Sequence, residues 1–209
     1  VANDIGINIV AGDTKVVEKG SADQIFITTT GIGEIIDGVN ISPKNVKTGM
    51  KIIVSGFLGD HSATILCHRY NLDSNLKSDC APLYSLTRDM LAVDKNIAMM
   101  RDITRGGLSE CLNEIALDAD VGILIEENQI PVRDEVKAVC EILGFDPLNL
   151  ANEGKLVAFV PSDTADKILQ AMKDNPLGTD AKIIGEVVNN SHGKVGLRTS
   201  IGAIRIVDF

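Results

Sequence analysis

The chain has 209 residues, of which 44% are hydrophobic and 23% are charged, an ordinary composition for a globular protein. Its formal net charge is -9, and it contains two Tyr, five Phe and no Trp. Nucleic-acid binding normally needs a basic surface with aromatic stacking platforms, so DNA and RNA partners are not expected. An anionic small-molecule substrate is not excluded, because helix N-termini and a few cations can bind phosphate locally.

The cysteines and the hydropathy pattern predict a soluble cytoplasmic protein. Four cysteines lie far apart without the spacing of a zinc site, which favours free thiols in a reducing compartment. Two of them, Cys111 and Cys140, lie on apolar helical faces and are predicted to be core residues. No stretch approaches the roughly 18 apolar residues of a membrane span, and the N-terminus does not resemble a signal peptide.

The first 46 residues read as an incomplete domain. Residues 5–17, interrupted by Gly12, and residues 24–30 have the Ile-, Val- and Thr-rich pattern of two strands. Residues 31–47 are rich in Gly, Asn, Pro and Lys and are the predicted interdomain connection. Because two or three strands without a covering helix cannot bury both faces, we expect a preceding portion of this domain, or a partner subunit, to be missing.

From residue 47 to residue 209 the chain reads as a complete α+β domain. Helices are predicted over about 60–70, 82–93, 132–143 and 164–173, with a further helix that begins after Gly107 and carries Leu108, Cys111, Leu112 and Ile115. Strands are predicted over about 51–55, 121–126, 156–160, 182–188, 194–198 and 203–207. Strands and helices do not alternate strictly, which indicates an α+β fold.

One segment that could carry chemistry is Gly-Asp-Thr-Lys at residues 12–15. A glycine and two opposite charges are poor choices for a buried strand, so the break invites a functional explanation. Asp13 could hold Mg²⁺ and Lys15 could bind a phosphate. The alternative is a solvated strand end.

A second segment, residues 101–107, leads straight into a predicted helix. Asp102 or Thr104 is available as the helix cap, and Gly106 and Gly107 allow a ligand to approach the backbone, as in an anion site. The alternative, a plain helix cap, does not account for Arg101 and Arg105.

A third segment, residues 151–155, precedes a strongly apolar strand. It places Glu153 at the predicted mouth of the core, where a partly desolvated carboxylate can act as a base or acid. The alternative is an exposed turn. Residues 78–82 are interpreted as the entry to a helix with Pro82 near its first position, and Asp60 and His61 stay ambiguous.

Neither a Gly-x-x-x-x-Gly-Lys-Ser/Thr loop nor a Gly-x-Gly-x-x-Gly fingerprint is present. The segments instead resemble, in order and along essentially the whole chain, the HypE family of hydrogenase maturation proteins in the aminoimidazole-ribonucleotide-synthetase-like (PurM-like) superfamily. The segments that carry the resemblance are residues 12–17, 29–33, 78–83, 100–108 and 150–155.

The resemblance implies a two-domain PurM-like architecture. Residues 1–46 would be the end of an N-terminal domain that binds ATP and forms a homodimer through its sheet, and residues 47–209 the C-terminal α/β sandwich. Such proteins dehydrate a carbamoyl group on their own C-terminal cysteine to thiocyanate at the expense of ATP, as a source of the cyanide ligands of [NiFe] hydrogenase. The implied partners are the HypF carbamoyltransferase and a HypC–HypD complex.

Site roles follow from the same resemblance. Lys15 would stabilise charge at the reacting group or the phosphate, Glu153 would accept the amide proton, and Asp13 would help to position Mg²⁺. The ATP-binding set would also include Thr14, Asp102, Thr104, Arg105, Gly106, Gly107 and Asn152.

The chain departs from the family at both ends. It stops at Phe209 without the Pro-Arg-Ile-Cys tail, and it lacks earlier acidic residues that would complete a metal site, so we expect this chain alone to be inactive. Two alternatives follow: a docking or dimerisation module without turnover, and another ATP-using member of the superfamily, such as a selenophosphate-synthetase-like enzyme.

Overall fold

The computed structural model describes residues 2–208, with the side chain of Asp4 left out. These residues form two units, divided in the sequence between Asp37 and Gly38. The first unit contains a 3-10 helix, Asn3–Ile5, and its other described residues form turns and irregular backbone without strand pairing.

The predicted strands over residues 5–17 and 24–30 are therefore wrong for this chain. A strand needs a hydrogen-bonded neighbour, and within residues 2–37 these segments pair with none. Their apolar side chains are exposed. The apolar pattern therefore indicates segments that could pair as strands, but no partner strand lies within residues 2–37. The exposed side chains of these segments include those of Ile9, Val10, Val16, Ile25, Phe26 and Ile27, and Ile32 and Ile35 further along the unit are exposed as well.

The second unit is a seven-stranded mixed sheet with five α-helices, which confirms the α+β prediction. The helices are α1 (Asp60–Tyr70), α2 (Tyr84–Val93), α3 (Gly107–Ala119), α4 (Asp134–Leu143) and α5 (Ala165–Asp174). The strands are β1 (Lys51–Val54), β2 (Met99–Asp102), β3 (Gly122–Glu126), β4 (Leu156–Val160), β5 (Lys182–Val188), β6 (Val195–Arg198) and β7 (Ile204–Ile206).

The strand order is β2-β4-β1-β5-β3-β6-β7, and every pairing is antiparallel except that of β3 with β6. The strand β2 was not predicted from the sequence. It lies at the edge of the sheet and pairs only with β4, and two of its four residues are charged, so it lacks the apolar run of a central strand. Its last residue, Asp102, pairs with Leu156, which brings residues 101–107 next to residues 151–155.

Both faces of the central strands are buried, because alternate residues of a strand point to opposite sides. Ile52 of β1 and Phe159 of β4 belong to the core cluster that includes Leu112 of α3. Ile53 and Ala158 belong to a second cluster, with side chains of α2 and α5. A third cluster joins α1 to α4.

The cysteine predictions are confirmed for the core. The four thiols are free, and Cys67, Cys111 and Cys140 are buried whereas Cys80 is exposed. Burial raises the pKa of the Cys111 thiol to about 12 and that of Cys140 to about 11, because a thiolate is poorly solvated there. Both thiols are therefore protonated core groups at neutral pH.

The start of α3 differs from the prediction that Asp102 or Thr104 caps it. The N-cap is Gly106, and no side chain makes the capping hydrogen bond. Gly107 has a φ of +65°, and a Cβ at this position would lie 2.3 Å from the carbonyl oxygen of Leu148. The helix thus begins where the backbone of α3 packs against the 3-10 helix Pro147–Asn149.

Gly107→Ala should lower the free energy of unfolding by about 3 kcal/mol, because it adds a steric clash to the roughly 1 kcal/mol cost of a left-handed alanine. Gly144→Ala is the matched control, since Gly144 has a φ of +74° but no neighbouring atom within 4 Å of the added Cβ. Urea unfolding of both variants measures the difference. Equal losses would contradict the packing argument.

Candidate functional site

A buried amide joins three loops at one end of the sheet. Asn152 is 1% exposed, and its Oδ1 accepts a hydrogen bond of 2.8 Å from the backbone N–H of Gly59, at the start of α1. Its Nδ2 donates to the carbonyl oxygens of Ile103, at 3.0 Å, and Leu150, at 3.2 Å. All the hydrogen-bonding capacity of the amide except one acceptor lone pair is used in this way.

Backbone hydrogen bonds reinforce the same junction. The N–H of Asn152 donates to the carbonyl of Ile103, and the N–H of Ile103 donates to the carbonyl of Lys155. The loop that follows β2 is thereby fixed against the loop that precedes β4. The sequence-predicted segments 101–107 and 151–155 therefore lie side by side.

The loop of residues 78–81 packs against the same place through Asp79. The Asp79 side chain is 3% exposed, and its Oδ1 accepts a hydrogen bond of 3.0 Å from the backbone N–H of Glu153. Its Oδ2 lies 3.8 Å from Nζ of Lys155. A Cβ on Gly154 would lie 1.9 Å from the carbonyl oxygen of Asp79, so only glycine permits this approach.

The interpretation of residues 78–82 as a helix entry misses this contact. The helix α2 begins at Tyr84 with Leu83 as its N-cap, two residues after Pro82, and Asp79 takes no part in the cap. The sequence contains one signal that could have revealed the role of Asp79. Asp79 precedes a helix but stands too far from its start to act as the N-cap, so the helix does not explain the choice of an aspartate at this position.

A second buried carboxylate adjoins this loop cluster. Asp60, at the start of α1, receives a hydrogen bond of 3.0 Å from Nε of Arg133, whose guanidinium lies 4.1 Å from the centre of the Phe57 ring. Burial raises the pKa of Asp60, the nearby charge of Asp79 raises it further, and the charges of Arg133 and Lys155 oppose the rise.

Two carboxylate oxygens in this cluster are buried and have no hydrogen-bond partner, Oδ1 of Asp60 and Oδ2 of Asp79. Asp79 lines a cavity of about 210 Å³ together with Gly56, Arg133 and Lys155, and Asp60 lines a separate cavity of about 640 Å³. Buried polar atoms are normally satisfied, so these oxygens mark the cluster as a candidate functional site.

The residues predicted for catalysis and ATP binding are only partly brought together. Glu153 is exposed, so the rest of this chain does not desolvate it as the sequence interpretation required. Asp13, Thr14 and Lys15 are exposed residues of the first unit. Asn152 is a structural junction, and its role in ATP binding stays a prediction.

The helix start predicted to hold phosphate is already in contact with other groups. The N–H of Gly107 donates to the carbonyl of Thr104, and a Cβ on Gly106 would meet the carboxylate of Glu110. Asp102 and Arg105 are exposed, whereas the guanidinium of Arg101 is paired with Glu114 of α3. A phosphate at this position would have to displace the Glu110 carboxylate, because like charges repel.

The described residues do not fit a complete Mg²⁺ site. Among residues 2–208, no three His, Cys, Asp or Glu side chains are placed to hold a metal ion together. Asp13 would be a single carboxylate ligand, and Mg²⁺ held in this way takes its other oxygen ligands from water and substrate phosphates. Separately, no helix within residues 2–208 is long and apolar enough to cross a membrane.

Comparison with known proteins identifies the family. Residues 47–198 match the family described as AIR synthase related protein, C-terminal domain. The carbamoyl dehydratase HypE of Cupriavidus necator is 46% identical over 210 residues, which cover 100% of this chain and 60% of that protein. The HypE chain of a HypE–HypF complex is 47% identical with a TM-score of 0.94, over 99% of this chain and 68% of that one. The chain belongs to the HypE family.

A HypE structure in complex with ATP is also similar, at 39% identity and a TM-score of 0.95, over 100% of this chain and 64% of that one. The PurM-like fold implied by the sequence resemblance is thus confirmed. The chain spans about three fifths of the curated HypE relatives that it matches. The domain bounds at residues 46 and 47 stay a prediction.

In this HypE-family chain, Asn152→Ala should lower the free energy of unfolding by about 2–4 kcal/mol, because it leaves buried backbone groups of three loops without partners. Asn149→Ala, at an exposed asparagine of the same segment, is the control and should change stability by less than about 0.5 kcal/mol. Chemical unfolding followed by circular dichroism measures both. A small loss at Asn152 would show that water replaces the amide.

Asp60→Asn should gain stability relative to the parent as the pH rises from about 3.5 to about 6.5. The pKa of Asp60 is higher in the folded protein than its ordinary value of 3.8, so the folded state retains a proton that the unfolded chain releases. The contribution of Asp60 to the stability of the parent is lost as the pH rises from 3.8 through its higher folded-state pKa, whereas an amide does not titrate and can still accept from Arg133. Urea midpoints at both pH values test this, with Asp73→Asn as control for the loss of one charge.

Proposed function

We propose that the protein acts as an ATP-dependent carbamoyl dehydratase in the maturation of [NiFe] hydrogenase. The observation that carries the proposal is 46% identity along the whole chain to a carbamoyl dehydratase HypE. The geometry agrees with it, because the side chain of Asn152 and the hydrogen bond from the Glu153 N–H to Asp79 fix the backbone at these two residues and leave the Glu153 carboxylate exposed.

The proposed reaction converts a carbamoyl group on a cysteine sulfur into a thiocyanate. The amide oxygen is a poor leaving group, so it first attacks the γ-phosphorus of ATP and ADP departs. The carbon–oxygen bond then breaks with release of phosphate, while the nitrogen loses its two protons over the two steps and forms a triple bond to carbon. Glu153 is the proposed acceptor of an amide proton, and Lys15 is proposed to stabilise charge on the transferring phosphoryl group.

The exposure of Glu153 has a consequence for this mechanism. A base that is exposed in its own chain must be covered by the substrate peptide, or by another part of the complete protein, before it works in a dry environment. The cysteine-bearing segment of the proposed substrate can provide that cover. The residues of 12–15 and of 101–107 remain the proposed ATP contacts, and Mg²⁺ remains a proposed cofactor with Asp13 as one ligand.

The proposed partners follow the family. One similar HypE structure is a complex with HypF, and we extend that partner, the HypC–HypD complex and a homodimer to the complete protein. The exposed apolar side chains of residues 7–36 are consistent with burial against another protein surface. Action in the cytoplasm is part of the same proposal.

Glu153→Gln should slow thiocyanate formation by about 100-fold or more, because the amide keeps the shape of the side chain but cannot accept a proton. The assay uses a full-length protein that carries this chain and a C-terminal cysteine, loaded by HypF with ATP and carbamoyl phosphate, and follows a single turnover by intact mass. Glu141→Gln, at an exposed glutamate of α4, is the matched control. Undiminished dehydration in Glu153→Gln would remove Glu153 from the proposed mechanism.

A further inference from the structure

The backbone of Glu153 is held by a side chain from outside its own segment. The carboxylate of Asp79 reaches it across 74 positions of sequence, and the hydrogen bond from the Glu153 N–H to Oδ1 is 3.0 Å long. The N–H of Glu153 thus has its acceptor in a different loop. The position of the Glu153 Cα is therefore tied to the position of Asp79.

Three further observations describe how Asp79 is held next to Glu153. Its side chain is 3% exposed although aspartate is rarely buried, and it caps no helix. Its second oxygen has no hydrogen-bond partner and faces the ammonium group of Lys155 at 3.8 Å. The backbone of Gly154 lies so close to Asp79 that the two loops have no space to slide past each other.

We propose that Asp79 is a positioning residue, which holds the backbone of Glu153 so that the Glu153 carboxylate points to the amide of the substrate. This inference rests on the proposed role of Glu153 as the proton acceptor. Asp79 acts through the Glu153 N–H and does not itself contact the reacting atoms. The effective group is the acceptor oxygen rather than the negative charge, which Lys155 partly neutralises.

The acceptor role and the charge role can be separated by two substitutions. Asp79→Asn keeps an oxygen that can accept from the Glu153 N–H but removes the charge opposite Lys155. Asp79→Ala removes both. Asp73→Ala, at an exposed aspartate of the same loop, is the control for a change in this part of the chain.

The first measurement is amide hydrogen exchange at Glu153, observed by NMR, and it does not depend on catalysis. The Glu153 amide should be protected in the parent and in Asp79→Asn, and it should exchange about tenfold faster in Asp79→Ala. An unprotected amide in the parent overturns the proposal whatever the variants do. Exchange that is equally fast in both variants shows that charge is the important property, and this also overturns it.

The second measurement is single-turnover thiocyanate formation in the full-length protein, with the affinity for ATP measured alongside. Asp79→Ala should slow the chemical step by about tenfold or more with ATP affinity unchanged, and Asp79→Asn should stay within about threefold of the parent. Equal loss in both variants, or an unchanged rate in Asp79→Ala, contradicts a positioning role. A parent that forms no thiocyanate disproves the proposed function instead, and the exchange result still decides whether Asp79 holds Glu153.

Discussion

The hydrogen bonds of the Asn152 amide are the constraint on which the rest of the site depends. They satisfy backbone groups from the loops after β1 and β2 and from the segment before β4, in a place that solvent does not reach. These loops contain little regular structure, so no helix or strand ladder could fix them instead. An amide is suited to the position because it both donates and accepts without carrying charge into the core.

The sheet brings the necessary loops to one end. Antiparallel pairing of β1 and β2 with β4 places the residues after β1 and β2 next to the residues before β4. The helix α3 then packs through Gly107 against the 3-10 helix that precedes Asn152. The site is thus a product of strand order and of two close backbone contacts, at Gly107 and Gly154, where a larger residue does not fit.

The sequence was sufficient to predict most of the second unit. Apolar periodicity located β1, β4 and the five helices within a few residues, because these elements bury one or both faces in the core. It failed for β2, whose edge position leaves a weak pattern, and for residues 5–17 and 24–30, where a strand-like pattern has no pairing partner among residues 2–37. The apolar periodicity of a segment indicates that it can pack against a core. Whether the segment forms a strand also depends on a partner strand, which its own sequence does not specify.

The candidate site was predicted less completely, for a similar reason. Glu153 and Asn152 were singled out together, but nothing in the spacing distinguishes the buried amide from the exposed carboxylate. Asp79, Asp60 and Arg133 were missed or left ambiguous because their importance arises from contacts across 74 and 73 sequence positions. Long-range pairs of this kind become visible only when the sheet has placed the loops.

The amide of Asn152 and the carboxyl group of Asp60 respond differently to pH. The amide cannot gain or lose a proton, so its three hydrogen bonds do not depend directly on pH. The proton on Asp60, by contrast, is sensitive to burial and to the cations around it. A change of acidity, or the arrival of an anion, can therefore alter the electric field at the site without removing a donor or acceptor of the Asn152 amide.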